Sequence, residues 1–329
     1  MEKTVVISTI IPVYNAATTI GTCLEALRGQ SVAWQSEVIV VDDGSHDETR
    51  EVVQRDPGVK LVCQAHGGPA LARNWGAAEA QGQVLLFTDA DCVPQPDWAE
   101  RLAQPILAGE AVGTKGTYRT RQRSLVARFV QQEYEEKYAR MARERAIDFV
   151  DTYAAGYARE VFQAAGGFDA VFPEASVEDQ EFSFRLSQQG QRLVFVPEAV
   201  VVHRHADTPG RYLRKKFRIG YWKALVMWWY PQKMARDSHT PQSQKVQLIG
   251  LPVLVILALL SLLWPPGSWI WGAVAITYAL SMGPLLARVA RRDPPVLWVA
   301  PLLILARALA LGAGFACGVL RFWFRGEAC

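Results

Sequence analysis

The chain has 329 residues and a formal net charge of +3; half of its residues are hydrophobic and 20% are charged. This charge balance is too mild to indicate a nucleic-acid partner, and none is expected. The five cysteines have neither metal-type spacing nor the density of a disulfide framework, which excludes zinc-finger and small disulfide-rich classes of protein. The length predicts two domains, or one large domain with an appendage.

The first part of the chain alternates apolar runs of strand length with helical patterns. The predicted strands, in chain order, are Thr4–Ile11, Glu37–Val41, Val59–Cys63, Val84–Thr88, Arg192–Val196 and Ala199–Val202. The predicted helices include Asp47–Gln54, Ala70–Ala80, Leu125–Ala146 and one that begins near Glu178. Strand–helix alternation with short links predicts an α/β domain with a mostly parallel sheet.

Polar, turn-forming clusters follow four of the predicted strands. They are PVYN after Ile11, DDGSHDET after Val41, QAHGGPALARN after Cys63 and DADCVP after Thr88. Turn chemistry alone does not require acidic pairs, yet two of these four clusters contain one. Because ligands of such sheets bind at the carboxyl ends of the strands, we expect a binding site at this edge.

One of these clusters has the composition of a metal site. Asp89 and Asp91 lie two residues apart at a strand end, so their side chains project to the same side. Two carboxylates there form a hard-oxygen site for Mn²⁺ or Mg²⁺, which in turn binds diphosphate oxygens. The same spacing occurs in solvated turns, but its position beside other acidic clusters favours metal binding.

Six segments, in order, resemble the family 2 inverting glycosyltransferases of the GT-A fold. They are IIPVYN (Ile10–Asn15), VVDDGSHDET (Val40–Thr49), GGPALARNWG (Gly67–Gly76), VLLFTDAD (Val84–Asp91), GGFD (Gly166–Asp169) and VEDQEFSFRL (Val177–Leu186). The resemblance covers about the first 205 residues. It implies a Rossmann-like GT-A catalytic domain that takes a hexose from a nucleotide-diphosphate sugar, with a UDP-sugar expected.

The resemblance also implies which residues bind the donor: Pro12, Tyr14, Asn15, Asp42, Asp43, Arg73, Asp89 and Gly167. The first three line the nucleoside pocket, and Asp43 holds the base with Asp42 beside it. Arg73 approaches the nucleotide, and the backbone at Gly167 passes close to the donor sugar. Two alternatives stay open: one of the two aspartates caps the next helix, or Arg73 is a surface salt-bridge residue.

For the metal, the resemblance implies Asp91 as the principal ligand and Asp89 on the sugar or ribose side. His203, after the last predicted strand, matches the family's late histidine and is the expected third ligand, with His205 as the alternative. The cofactor expected from these residues is Mn²⁺ or Mg²⁺.

For catalysis, the resemblance implies Asp179 as the general base, with Glu178 beside it either in a catalytic role or as a helix-start carboxylate. A carboxylate at a helix N-terminus is expected to stay ionised near neutral pH, which suits a proton acceptor. With one base and no covalent nucleophile, a single displacement inverts the anomeric centre.

The last third of the chain is apolar. Val246–Ala287 contains 42 residues without a charge, and Val296–Leu320 is a second such run interrupted by Arg307. Pro265-Pro266-Gly267 divides the first run, and each part is long enough to cross about 30 Å of hydrocarbon. The predicted spans are 246–264, 269–287 and 296–320. A charge near a span centre costs about 2.5–3.5 kcal/mol, so an interfacial or re-entrant third segment is the alternative.

Between the two parts lies a basic and aromatic stretch, Arg211–Tyr230, which predicts a helix in the headgroup layer. The predicted domains are therefore 1–210 (catalytic), 211–245 (interfacial) and 246–329 (transmembrane). Arginines follow the second span, and the positive-inside rule places them in the cytosol with the catalytic domain. We expect a multi-pass protein of the inner membrane.

These patterns predict an inverting hexosyltransferase that acts on a lipid-linked or membrane-delivered glycan acceptor in envelope or extracellular polysaccharide or glycolipid synthesis. Direct transfer to polyprenyl phosphate is the rival within this class. A catalytically silent membrane scaffold on the same fold is the rival outside it. A polymer-extruding synthase is disfavoured, because such enzymes need more spans and a Gln-Arg-Trp-type motif that the sequence lacks.

Overall fold

The computed structural model describes residues 5–262, 264 and 267–324. The chain divides into two compact units. The first contains the described residues up to Arg121 together with Met141–Arg204, and the second contains Gln122–Arg140 and the described residues from His205 onward. This division differs from the predicted boundaries, because residues 122–140 group with the C-terminal helices and not with the remainder of 1–210.

Eight strands form one sheet in the first unit. They are β1 (Ile7–Val13), β2 (Ser36–Asp42), β3 (Val59–Cys63), β4 (Val84–Phe87), β5 (Val93–Pro94), β6 (Gly113–Arg119), β7 (Ala155–Ala158) and β8 (Leu193–Val202). Their order across the sheet is β3-β2-β1-β4-β7-β6-β8-β5.

The α-helices complete both units. They are α1 (Ile20–Arg28), α2 (Thr49–Gln54), α3 (Pro69–Ala78), α4 (Trp98–Leu107), α5 (Leu125–Met141), α6 (Arg159–Ala164), α7 (Glu178–Gln188), α8 (Pro209–Trp229), α9 (Gln232–Ala235), α10 (Gln242–Ser261), α11 (Gly267–Arg292) and α12 (Ala300–Val319). Helices α5 and α8–α12 form the second unit, apart from the last residue of α5.

Four parallel strands, β3, β2, β1 and β4, bring the predicted polar clusters to one edge. In the register, Val13 lies opposite Asp42 and Asp42 opposite Cys63, while Ile10 lies opposite Phe87. The strands β1 and β4 are almost completely buried, which explains their continuous apolar sequences. The predicted α/β sheet is confirmed, and the segments that follow these strands share its carboxyl edge.

The far half of the sheet mixes strand directions and contains the strands that the sequence did not predict. β7 pairs antiparallel with β4 and β6, while β6 pairs parallel with β8. A Cβ at Gly116 would overlap the carbonyl oxygen of Ala199, and a Cβ at Gly156 the hydroxyl of Thr114. Close packing thus requires glycine here, and glycine weakens the strand pattern by which β6 and β7 would have been recognised. The helix α4 was also not predicted.

In the second unit, three helices are long and apolar enough to cross a membrane: Gln242–Ser261, Ser268–Arg292 and Ala300–Phe324. The last of these includes a π-helical turn, Leu320–Phe324. They overlap the three predicted spans. The predicted turn falls on Pro265 and Pro266, which lie outside the described residues.

Arg307, whose charge argued against a third span, is buried inside the second unit. Its guanidinium donates to Glu133 of α5 and to Gln247 of α10. Charged side chains within apolar helices are tolerated where they face a bundle interior and are paired. The charge is therefore compatible with α12 as a membrane-spanning helix.

Helix α8 contains the basic and aromatic stretch that was predicted to lie on the membrane surface. It packs along α12, and the approach is so close that a Cβ at Gly314 would overlap the carbonyl oxygen of Phe217. Gly220 and Gly318 meet backbone atoms of the opposite helix in the same way. Helix α8 is thus an integral part of a glycine-mediated helix pair, and its location in the headgroup layer stays a prediction.

Replacing Gly314 by alanine should therefore destabilise the second unit. The added Cβ has to displace a backbone carbonyl, and overpacking of this kind costs typically about 1–3 kcal/mol. Gly272 of α11 is the matched control, because its Cβ would meet no atom within 4 Å. Gly272→Ala should leave the unfolding temperature of the detergent-solubilised protein unchanged or slightly higher, and Gly314→Ala should lower it. Equal unfolding temperatures for the two variants would contradict the tight α8–α12 contact.

Candidate functional site

Four potential metal ligands converge where β4 and β8 end. Ligand atoms of Asp89, Asp91, Cys92 and His203 all lie within 4.8 Å of one another. The Nε2 atom of His203 is 3.6 Å from Oδ1 of Asp91. The backbone N–H of His203 donates to the carbonyl oxygen of Arg119 (2.9 Å), which fixes the residue beside β6.

The chemistry of this donor set fits a divalent cation such as Mn²⁺ or Mg²⁺. Carboxylate oxygens suit both ions, and imidazole is a further ligand for a transition metal. Cys92 differs from the other three, since burial, and after it the charges of Asp89 and Asp91, raise the pKa of its thiol well above the usual value. A protonated thiol is a poor ligand for a hard ion. The set that fits the ion is therefore Asp89, Asp91 and His203.

His205, the alternative ligand, belongs to the second unit. Its ring stacks on Tyr134, with centroids 5.5 Å apart, and its Nε2 lies 3.0 Å from Oε1 of Gln131. The cluster of potential ligands found among the described residues does not include it. The geometry favours His203 over His205.

Arg73 lies in the interior, 2% exposed, and joins two of the predicted site carboxylates. One guanidinium nitrogen donates to Oδ1 of Asp89 (2.8 Å) and the other to Oε1 of Glu178 (3.0 Å). The sequence suggested that this side chain approaches the nucleotide. In the structure it holds Asp89 in place and links α3 to α7, and its expected approach to the nucleotide stays a prediction.

Glu178 is buried, and both of its carboxylate oxygens accept hydrogen bonds. Oε1 accepts from Arg73, and Oε2 accepts from the backbone N–H of Ser176 (2.8 Å). These contacts support the helix-start role of Glu178 over a direct catalytic role. An acceptor hydroxyl of the substrate has little access to either carboxylate oxygen.

Asp179, the next residue, is more exposed to solvent than Glu178, and the pKa of its carboxyl is shifted. Burial, and after it the neighbouring charge of Glu178, raise the pKa of its carboxyl to about 7, although Arg73 and Lys115 act in the opposite direction. Burial and Glu178 therefore act against the sequence-based expectation that the helix N-terminus keeps this carboxylate ionised near neutral pH. A carboxylate that titrates near neutral pH is well matched to general base catalysis.

At the other end of the edge, Asp43 ties the end of β2 to the loop between β3 and α3. Its carboxylate accepts the backbone N–H groups of Gly67 (2.8 Å) and Gly68 (2.9 Å) and the side-chain amide of Gln64 (2.6 Å). The Nδ1 atom of His66 lies 2.9 Å from the second oxygen. With four such neighbours, the acceptor capacity of this carboxylate is largely used within the protein.

Asp42 is also engaged, with Arg50 (2.6 Å) and with the backbone N–H of Ser45 (3.2 Å). The alternative that one of these aspartates caps the next helix is wrong. The N-cap residue of α2 is Glu48, which makes no side-chain capping hydrogen bond; Asp47, one residue before it, accepts the backbone N–H of Thr49 (3.1 Å).

An exposed aromatic pair lies beside these aspartates. Tyr14 is 45% exposed, and its ring stacks on that of His66 with centroids 4.3 Å apart. Asn15 adopts a left-handed conformation (φ 49°) and accepts the backbone N–H of His46 (2.9 Å). Pro12 lies within β1, opposite Val41. The contacts of His66 with Tyr14 and Asp43 were not predicted from the sequence, although the residue lies in one of the polar clusters at the strand ends.

Gly167 has a positive φ of 67°, and a Cβ there would meet Oδ1 of Asn74 at 2.5 Å. Asn74 in turn accepts the backbone N–H of Phe168 (2.9 Å) and donates to its carbonyl oxygen (2.7 Å). Glycine is thus required by packing at this position, and its expected proximity to the donor sugar stays a prediction.

Residues 8–166 match the sequence profile of Glycosyl transferase family 2. This segment of the chain is therefore similar to a glycosyl transferase family 2 domain. It is 40% identical to Glycosyltransferase AglE of Haloferax volcanii over 29% of this chain and 33% of that protein. It is 28% identical to the Putative glycosyltransferase EpsH of Bacillus subtilis over 66% of this chain and 67% of that protein. The match thus spans a third of AglE and two thirds of EpsH.

The fold of this chain is similar to that of the mannosyltransferase PcManGT from Pyrobaculum calidifontis, solved in complex with GDP-Man and Mn²⁺. The similarity covers 98% of this chain and 88% of that chain, with a TM-score of 0.54 and 22% sequence identity. At this level of identity the comparison shows the fold, and it confirms the predicted GT-A architecture.

The two histidines provide a test of the metal-binding set. Removing a ligand should weaken binding of Mn²⁺ by about tenfold or more, as even loss of an outer-shell partner does so. We expect His203→Ala to show this loss in an electron paramagnetic resonance titration with Mn²⁺, and His205→Ala to bind Mn²⁺ like the parent protein. The assignment fails if His205→Ala is the weaker binder, or if neither variant differs from the parent.

Proposed function

We propose that this protein is a metal-dependent, inverting glycosyltransferase that moves a hexose from a nucleotide-diphosphate sugar to an acceptor delivered at a membrane. The observation that carries the proposal is the convergence of Asp89, Asp91 and His203 at the carboxyl edge of a domain similar to family 2. The complex of PcManGT with a nucleotide sugar and Mn²⁺ supports the same donor class and metal.

For the nucleotide, we propose that the base stacks on the exposed pair of Tyr14 and His66. Aromatic faces bind nucleobases with about 1–3 kcal/mol per stacked base. The role of Asp43 in this proposal is indirect, because its carboxylate holds the loop that presents His66. Stacking does not depend on base identity, so UDP, expected from the sequence, and GDP, bound by PcManGT, are both accommodated.

For the diphosphate, Asp91 and His203, with Asp89, would hold the Mn²⁺ or Mg²⁺ ion, which supplies positive charge to the leaving group. Arg73 fixes the orientation of Asp89 from the interior, so the ligand set is organised before the donor arrives. Asp179 accepts the proton of the acceptor hydroxyl as its oxygen attacks the anomeric carbon opposite the leaving diphosphate. This single displacement gives a β-linked product from an α-linked donor.

For the acceptor, the three apolar helices support a membrane setting. We propose a multi-pass protein of the inner membrane with a cytosolic catalytic unit, acting on a lipid-linked or membrane glycan acceptor in polysaccharide or glycolipid synthesis. Arg291 and Arg292 at the end of α11 agree with that orientation. The two rival functions named in the sequence analysis remain alternatives. Transfer to polyprenyl phosphate differs only in the acceptor, while a silent scaffold would not need an intact cluster of metal ligands.

The proposal is tested by measuring nucleotide release from a panel of nucleotide sugars, with and without membrane lipid extract. We expect one donor to be consumed only with Mn²⁺ or Mg²⁺, and faster with the extract. The anomeric proton of the product, observed by NMR, should show inversion. Absence of release from every donor would favour the scaffold, and a product that retains the donor configuration would refute single displacement.

Two aspartate substitutions separate donor binding from chemistry. Asp91→Ala should abolish transfer and weaken calorimetric binding of the released nucleotide with Mn²⁺, because the diphosphate loses its ion. Asp179→Asn should also abolish transfer but bind the nucleotide like the parent, because it changes only the proton acceptor. If both variants bind the nucleotide like the parent, the two roles are assigned wrongly.

The pH dependence of transfer should report Asp179. Because the base acts in its ionised form and its pKa is raised to about 7, kcat/KM should rise with pH from 5.5 to about 7 and then level off. Glu178→Gln removes the negative neighbour that raises this pKa, so the rising limb should move to lower pH. A limb that stays in place in Glu178→Gln would show that another group is the base.

A further inference from the structure

The second unit contains its own cluster of charged side chains, whereas the proposed metal ligands belong to the first unit. Glu133 of α5 is buried and pairs with Arg307 and with Lys216, whose Nζ lies 3.1 Å from the carboxylate. The hydroxyl of Tyr212 donates to the same carboxylate (3.1 Å). Glu133 is thus surrounded by donors from α8 and α12.

One turn further along α5, Lys137 faces the loop between α9 and α10. Its Nζ lies 2.8 Å from Nε2 of His239, and Nζ of Lys223 from α8 lies 3.3 Å from Oγ1 of Thr240. The loop itself is well fixed. Arg140 donates to the carbonyl oxygens of Asp237 (2.6 Å) and Thr240 (2.7 Å).

Positive charge exceeds negative charge in this cluster. In the described part of the unit, six basic side chains interact with three acidic ones, Glu133, Glu136 and Asp237. The basic ones are Lys137, Lys216, Lys223, Lys245, Arg288 and Arg307.

Burial and this excess of positive charge both affect the pKa of Lys137, whereas Glu133 acts in the opposite direction. Burial, and after it the charge of Lys216, lower the pKa of the Lys137 ammonium group to about 7, with Lys223 and Arg307 acting in the same direction. Half-buried cations that repel one another are costly for a folded protein unless an anion joins them. The cluster therefore has the electrostatics of an anion site.

We propose that Lys137, Lys216 and Lys223 bind the phosphate group of a membrane lipid acceptor. Lys216 and Lys223 are seven residues apart, about two turns along the same face of α8, and Lys137 approaches from α5. Three ammonium groups provide compact charges for the several oxygens of one phosphate. The identification of the lipid as the acceptor rests on the proposed transferase function; the phosphate site itself does not.

The location explains why the phosphate is expected on a lipid. Helix α10, the first helix able to cross a membrane, begins at Gln242, directly after the loop that contains His239 and Thr240. The cluster therefore lies at the polar end of an apolar helix, where a lipid phosphate lies in a bilayer. Free phosphate and the headgroups of bulk anionic lipids are the other sources of the same chemistry, and the experiment separates them.

Binding of farnesyl phosphate to the full-length protein in phosphatidylcholine nanodiscs tests the site. Farnesol, which lacks the phosphate, tests whether the phosphate is needed, and sodium phosphate tests whether the lipid chain is needed. Phosphatidylglycerol added to the nanodisc tests competition by bulk anionic lipid. The variants are Lys137→Gln and Lys223→Gln, with Lys215→Gln as the matched control, because Lys215 is exposed on the same helix.

We expect farnesyl phosphate to bind about tenfold or more weakly to Lys137→Gln and Lys223→Gln, the effect of losing roughly 1.4 kcal/mol, and unchanged to Lys215→Gln. Farnesol and sodium phosphate should bind much more weakly, and phosphatidylglycerol should not compete. Equal loss in all three variants, equal binding of farnesol, or full competition by phosphatidylglycerol would each overturn the proposal.

A stability measurement distinguishes a ligand site from a structural one. Without ligand, Lys137→Gln should unfold at the same or a higher temperature than the parent, because one of several repelling cations is removed. A lower unfolding temperature would mean that Lys137 is structural and would overturn its role. Lysine-dependent binding of farnesyl phosphate without nucleotide release from any donor would leave this site intact while refuting the proposed transferase function.

Discussion

Arg73 places a permanently charged guanidinium in the interior of the first unit, between Asp89 and Glu178. Through it, α3, the end of β4 and the start of α7 are held at one edge of the sheet. Removing one partner from a buried ion pair costs about 3–5 kcal/mol, since the other charge is left uncompensated. The metal ligands on one side and Asp179 on the other therefore share one internal support, and the geometry of each depends on the same side chain.

Much of this edge could be predicted from the sequence, because parallel strands end together and polar residues after them have to meet. Asp89, Asp91 and Asp43 were located in this way. Their partners could not be predicted, since Arg73 and Glu178 are 105 positions apart and no local pattern pairs them. The hydrogen bonds from backbone N–H groups to Asp43 could not be predicted either, because they depend on the path of a loop. The strands β6 and β7 were not predicted, because the glycines that their close packing requires weaken the strand pattern in the sequence.

In the second unit, too, contacts between residues distant in sequence could not be predicted. From the sequence, Arg307 is a costly charge in an apolar run, and that cost argued against a third span. Its partner Glu133 lies 174 positions away on a helix that was assigned to the catalytic domain. Similarly, the sequence alone does not show why α8 and α12 contain glycines; the reason is the close contact between the two helices. The length and composition of the apolar and basic segments predicted these helices, while their contacts with one another depend on tertiary packing.

The chain enters the second unit at Gln122, leaves it after Arg140 and enters it again at His205. In evolutionary and practical terms, the domain similar to family 2 is therefore not a module that can be cut away at one point. A fragment ending before α10 would retain α5 without the residues of α11 and α12 that pack with Phe129 and Val130, and without Arg307, one of the two cations that pair with Glu133. A soluble form of the catalytic unit requires a second cut, in which a short linker replaces residues 122–140. Any gene fusion that exchanges the membrane helices has to exchange α5 with them.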